Sequence, residues 1–152
     1  MSVTEVFIGS DHGGVTLREL LVTHMEGRGI LVRARLGPET AGDSVDYPDV
    51  ARELCAAVLA AEGSAGILVC GTGQGMAISA NKVRGIRAGA ASDPFSARML
   101  RAHNDANVLC LGERVLGSEL AKVVFDAFID ADFEGGRHAR RVAKIDNEGS
   151  EA

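Results

Sequence analysis

Apolar positions along the chain fall into two alternating rhythms. Short runs rich in Val, Ile, Leu and Ala predict strands over residues 5–10, 30–35, 66–70, 87–92 and 107–111. Between them, apolar residues recur at helical spacing and predict helices over 15–27, 47–62, 75–83 and 94–103. Two more helices follow the last strand, over 117–131 and 136–147. In the first helix the repeating face is Leu17, Leu20, Leu21, His24 and Met25. The stretches 36–46 and 132–136 carry no period and read as loops.

Strands separated by single helices imply right-handed crossovers and a mainly parallel sheet. The period holds from end to end, with no linker and no internal repeat. The expectation is therefore one domain over 1–152, an α/β Rossmann-like three-layer sandwich. Its sheet is five-stranded and mainly parallel, with an extra C-terminal helix. In such folds ligands bind beyond the carboxyl ends of the strands. The strand-end segments are 10–14 (SDHGG), 70–75 (CGTGQG), 92–94 (SDP) and 112–114 (GER). They hold most of the polar chemistry of the chain.

Composition narrows the function classes. A chain of 152 residues suits one core, burying about 68–70% of its unfolded surface. The longest apolar run, 54–61, has eight residues, whereas a membrane-spanning helix needs about 20. The start, MSVTE, lacks the basic and apolar regions of a secretory signal, so the expected location is the cytoplasm. Sixteen basic against 21 acidic residues give a net charge of −5, which argues against nucleic-acid or membrane partners. With no Trp and one Tyr, base-stacking modules are also disfavoured. The three cysteines, Cys55, Cys70 and Cys110, form no CxxC pair and have no metal-ligand spacing with a histidine. Neither a disulfide framework nor a structural zinc is expected.

The segment 70–75 places Gly71, Gly73 and Gly75 between a strand and a helix, where free amides suit an oxyanion or phosphate. It is neither the dinucleotide fingerprint nor a P-loop, and tight strand-to-helix packing is the other reading of the glycines. Cys70 sits where a helix N-terminus favours a thiolate, so both function and simple burial stay open for it. Cys55 and Cys110 read as small buried hydrophobes. Asp11 and His12 stand at the mouth of the first strand, either contacting a substrate or, for Asp11, capping the helix with His12 merely exposed. His24 has no polar company in its helix and reads as structural. His103 closes the fourth helix, either as a proton donor and acceptor near neutral pH or as a cation at a helix C-terminus. Arginine makes up 13 of the 16 basic residues. Arg137, Arg140, Arg141 and Lys144 form one stripe of the last helix, a solvated face or a phosphate site, with Arg114 at a strand end.

In this order, the segments 10–14, 46–48 (DYP), 70–75, 80–82 (ANK), 85–87 (GIR), 103–105 (HND), 107–108 (NV) and 135–138 (GGRH) resemble the type B ribose-5-phosphate isomerases. These share a superfamily with the galactose-6-phosphate isomerase subunits. The resemblance runs from about Val6 to Val142. It implies an aldose–ketose isomerase acting on ribose 5-phosphate and ribulose 5-phosphate through a cis-enediol, without metal or organic cofactor. Cys70 matches the general base and His103 the acid that opens the furanose ring. Asp11, His12, Gly71, Gly73, Gln74, Gly75 and Asn104 match substrate contacts, with Tyr47 a pocket residue. Arg114, Arg137 and Arg141 match phosphate contacts, and Thr72 adds a hydroxyl donor.

A branch of the family replaces the cysteine by a glutamate just after the glycine turn. Met76 stands there in this chain, so the resemblance is to the thiol type. The family is a homodimer or dimer of dimers with sites shared between subunits. Gln74 and the loop 37–44 depart from the common pattern and bear on which sugar phosphate is preferred, whether allose, galactose or tetrose phosphate. Two other classes remain: a non-catalytic sugar-phosphate sensor and a thiol redox protein using Cys70.

Overall fold

The central strands carry apolar side chains on both faces, as a parallel sheet covered by helices requires. In a computed structural model describing residues 3–147, the elements run β1 (Glu5–Ser10), α1 (Val15–Gly27), β2 (Leu31–Leu36), α2 (Tyr47–Ala60), β3 (Ala65–Cys70) and α3 (Gln74–Ala80). They continue with β4 (Ala88–Ala90), α4 (Pro94–Asn104), β5 (Val108–Gly112), α5 (Ser118–Ile129) and α6 (Arg137–Asn147). The strand order is β2-β1-β3-β5-β4, and every pairing is parallel, so the sheet is wholly rather than mainly parallel.

Side-chain alternation sets the layers. Val6, Ile8, Ile67, Val69, Leu109 and Leu111 join Leu17, Leu21 and Met25 of α1 and Phe125 and Phe128 of α5 in one core. Phe7, Leu68, Cys70, Val108 and Cys110 join Val50, Leu54 and Val58 of α2 and Met76 and Ala80 of α3 in the other. All three thiols are free and lie in this second core.

Several elements are shorter than the pattern predicts, and for α3 and β4 the local reason is visible. Helix α3 stops at Ala80 because the Asn81 side chain turns to the backbone of Ala88. Its Nδ2 donates to the Ala88 carbonyl and its Oδ1 accepts from the Ala88 amide, both at 2.8 Å. Strand β4 keeps three residues because it pairs on one side only, and by Asp93 the chain is capping α4 through a 2.7 Å bond from Ser96 N–H. His24 keeps a structural role but has a polar partner on another helix. Its Nε2 lies 2.8 Å from Asp126 Oδ1 on α5, and Arg28 donates to the same oxygen at 2.6 Å. That partner is 102 residues away, so helical spacing gave no sign of it.

The loop 37–46, which leads into α2, hangs on one buried cation. Arg18 is 1% exposed. Its guanidinium donates to Ser10 Oγ at 3.2 Å, to the Leu36 carbonyl at 3.0 Å and to the Pro38 carbonyl at 2.8 Å. Its Nε donates to Glu19 Oε1 at 2.9 Å, so charge and donors are both matched. Arg18→Met should keep the stem packing but strip the donors from these acceptors. The expected cost is about 3 kcal/mol of stability, read as a lower urea midpoint with an unchanged slope.

Candidate active site

The strand order reverses between β1 and β3, since the chain leaves β1 for β2 on one side and builds β3, β5 and β4 on the other. The crevice at such a switch point lies beyond the strands' carboxyl ends. Here it is formed by the turns 10–14 and 70–75, and the two touch. A Cβ on Gly13 would come within 3.5 Å of Gly71 N, and one on Gly14 within 2.6 Å of the Val69 carbonyl oxygen.

Cys70 ends β3, is 5% exposed, and its Sγ accepts a 3.1 Å hydrogen bond from Gly73 N–H. The amide reaches it because Gly73 adopts φ +81°, the left-handed region. Thr72 is exposed and its Oγ1 accepts from Gln74 N–H at 3.3 Å, starting α3. The other two thiols are different. Burial pushes Cys55 up to about 11, and desolvation raises Cys110 well above the ordinary thiol value.

Around this turn stand most of the remaining predicted residues. Asp11 is buried, and its Oδ1 accepts from Gly13 N–H at 2.9 Å. It makes a tight local turn and does not cap α1, whose N-cap is Gly14 with no side-chain bond. His12 is exposed, and its Nδ1 lies 3.3 Å from both the backbone N–H and the carbonyl oxygen of Val45. The ring of Tyr47 closes over Gly75, where a Cβ would meet it at 2.7 Å. Arg114 lies over Gly71, its Cδ 3.5 Å from where a Cβ would sit. Its neighbour Glu113 is taken up structurally, accepting from Leu17 N–H at 2.7 Å in the first turn of α1.

His103, Asn104, Arg137 and Arg141 do not join this group. Helices return antiparallel to the strands, so the end of α4 lies at the sheet's amino edge. Arg87, just before β4, donates from Nε to the Asn104 carbonyl at 3.1 Å and the Asp105 carbonyl at 3.0 Å. Its other nitrogens hold Asp105 Oδ2 at 3.1 Å and both carboxylate oxygens of Asp146 on α6, at 3.1 and 3.0 Å. Asp105 is the one non-glycine residue with positive φ among the described residues, at 46°. The separation from Cys70 is therefore about the length of a strand, roughly 16–20 Å.

At this second locus the His103 ring stacks on His138, with centroids 4.1 Å apart and planes at 8°. Glu134 stands beside both, held by its own N–H to the Ala102 carbonyl at 2.9 Å. Burial, with His103 and Arg137 nearby, lowers the His138 imidazole from its ordinary value. Arg137, Arg140, Arg141 and Lys144 are all exposed along α6. Arg87, Glu134 and Asp105 received no role from the sequence, although the spacing of Glu134 and His138, four apart before and within a helix, was a usable signal.

Comparison with known proteins bears on what these two loci do. Residues 6–145 match the family model described as Ribose/Galactose Isomerase. The chain is 45% identical to ribose-5-phosphate isomerase B of Escherichia coli K12 over 141 residues, 93% of each protein. It is 42% identical to D-erythrulose-4-phosphate isomerase of Pectobacterium atrosepticum, over 92% of this chain and 91% of that protein. The structure of ribose-5-phosphate isomerase B from Clostridium thermocellum superposes with a TM-score of 0.92 at 46% identity, covering 97% of this chain and 98% of that one.

The thiol environments give a direct test. Iodoacetamide at pH 8 should modify Cys70 first, read by peptide mass spectrometry. Cys55 should lag far behind, since a thiol near 11 is ionised there to only about one part in a thousand. Gly73→Ala, strained at positive φ and displacing the amide on Sγ, should slow Cys70 labelling by about tenfold.

Proposed function

The chain belongs to the ribose/galactose isomerase family and is a sugar-phosphate isomerase, and we propose that its substrate pair is D-ribose 5-phosphate and D-ribulose 5-phosphate. The observation that carries the mechanism is Cys70 Sγ accepting the Gly73 amide at the switch-point crevice. The Cys70 thiolate takes the proton from C2 of the open-chain aldose. The C–H electron pair becomes the C1–C2 double bond of a cis-enediol, and the carbonyl electrons move onto O1. O1 takes up a proton while the O2 hydroxyl gives one up so that C2 becomes the carbonyl, and the Cys70 thiol delivers its proton to C1, so no external electron or atom is consumed. Thr72 and the amides of the turn Gly71–Gly75 supply donors to the developing oxyanion. His103 protonates the ring oxygen to open the furanose. Asp11, His12, Tyr47, Gln74 and Asn104 hold the sugar hydroxyls, and Arg114, Arg137 and Arg141 hold the phosphate. These steps call on this chain's own groups, and no cofactor takes part in them.

A single small substrate cannot touch both ends of one sheet. The active form is therefore a homodimer, or a dimer of such dimers, in which one subunit's His103, Asn104, Arg137 and Arg141 meet the partner's Cys70 turn, giving two identical sites. The exposed apolar residues Ile78 and Phe95, 64% and 71% exposed, suit such a contact. A cytoplasmic location fits a phosphorylated metabolite, and no helix among the described residues is long and apolar enough to cross a membrane. A tetrose phosphate is the second reading, favoured by the 42% identity to D-erythrulose-4-phosphate isomerase. A four-carbon sugar phosphate cannot close a furanose ring, so it would leave His103 without a task.

Ketose formation from ribose 5-phosphate, run beside erythrose 4-phosphate, decides between the two. Cys70→Ala should lose at least about a thousandfold in kcat while binding the phosphosugar within a few-fold of the native protein. Activity retained in that variant rules out the assigned base. Sharing between subunits has its own test. Cys70→Ala and His103→Ala proteins, each inactive, should regain roughly a quarter of native activity when unfolded and refolded together, because half the dimers then carry one intact site of two. No recovery would assign both groups to one subunit.

A further inference from the structure

We propose that His103, Glu134 and His138 form a capture site for a divalent transition cation of the zinc class, and that its occupation inhibits the enzyme by withdrawing His103. The three ligand atoms lie within 4.8 Å of one another. Glu134 Oε2 is 3.6 Å from His103 Nε2 and 3.7 Å from His138 Nε2. Zinc held tetrahedrally at about 2.0–2.2 Å from nitrogen and oxygen ligands needs neighbouring ligand atoms about 3.4 Å apart. Both edges are thus within a few tenths of an ångström of a zinc polyhedron.

The separations are also too long for hydrogen bonds. His138 Nε2 is consequently a buried nitrogen with no hydrogen-bond partner among the described residues, on a side chain 8% exposed. A buried polar atom of this kind calls for a ligand, and a cation would satisfy it together with the other two donors. Two imidazoles and one carboxylate select zinc, copper or nickel over magnesium or calcium, and they leave a fourth position for water. The glutamate is held in place by its backbone, through the bond from Glu134 N–H to the Ala102 carbonyl.

The stacked rings make the site switchable. With planes at 8°, the in-plane lone pairs of the two imidazoles run side by side and do not converge on one point. Binding must open the stack. His103, a third exposed at the end of α4, is the ring free to turn, while His138 stays anchored. Arg137 and Arg141 on the same helix repel a cation and weaken its binding, which suits reversible inhibition.

Binding rests on these three side chains alone; inhibition also rests on the role proposed above for His103, and two readouts separate them. Metal-free protein titrated with cobalt should show the visible d–d absorption of a tetrahedral site, one equivalent per chain, in both the native and the Cys70→Ser proteins. The spectrum should weaken by at least about tenfold in affinity in Glu134→Gln and in His138→Gln. In the activity assay zinc should inhibit the native enzyme, whereas Glu134→Gln should turn over and resist the same concentration. A signal lost in Cys70→Ser, or unchanged in Glu134→Gln and His138→Gln, overturns the site. Stoichiometric binding without inhibition overturns the second half. If the protein turns over no sugar phosphate, the cobalt spectrum still decides the site.

Discussion

The turns after β1 and β3 lie against each other with no space for side chains between them. Gly14 has the Val69 carbonyl oxygen within 2.6 Å of where a Cβ would be, and Gly112 has the Thr72 backbone at 2.7 Å on the other side. This backbone-on-backbone packing determines the crevice. It brings Asp11 beside the Cys70 turn, sets Gly73 in the left-handed region and so aims its amide at Cys70 Sγ. A methyl group at Gly14 or Gly112 would push the turns apart, and the sulfur would lose its hydrogen-bond donor.

The same physics separates three chemically identical thiols in one core. Cys55 and Cys110 are fully buried among apolar neighbours, where desolvation disfavours the thiolate. Cys70 shares that core but ends its strand where the backbone turns, so an amide faces its sulfur.

The opposite edge of the sheet is organised by one guanidinium. Arg87 gathers the last carbonyls of α4, the carboxylate of Asp105 and the carboxylate of Asp146. Through those contacts it fixes the end of α4 against α6, and so the stack of His103 on His138. The charge pairs around it are partly exposed and screened. Its contribution is therefore more to geometry than to stability, since a histidine pair at 4.1 Å tolerates little slack.

Periodicity alone determined the fold class and nearly every element of this protein. Strand and helix rhythms are local, and each core face needs only the right residue every second or every third to fourth position. The glycine turn, the thiol at the strand end and the ordered segments around them were legible for the same reason, since they lie within a few neighbouring residues. What only the tertiary structure decided is which distant residues meet. His24 pairs with Asp126, 102 positions away. Arg18 anchors Pro38. Glu134 arrives beside His103 because an irregular loop is pinned to α4 by one backbone bond. Most of all, the sheet sorted the candidate residues into two ends, with Cys70 at one and His103 at the other. That sorting follows from strand and helix direction, which residue types do not encode and the packed sheet imposes.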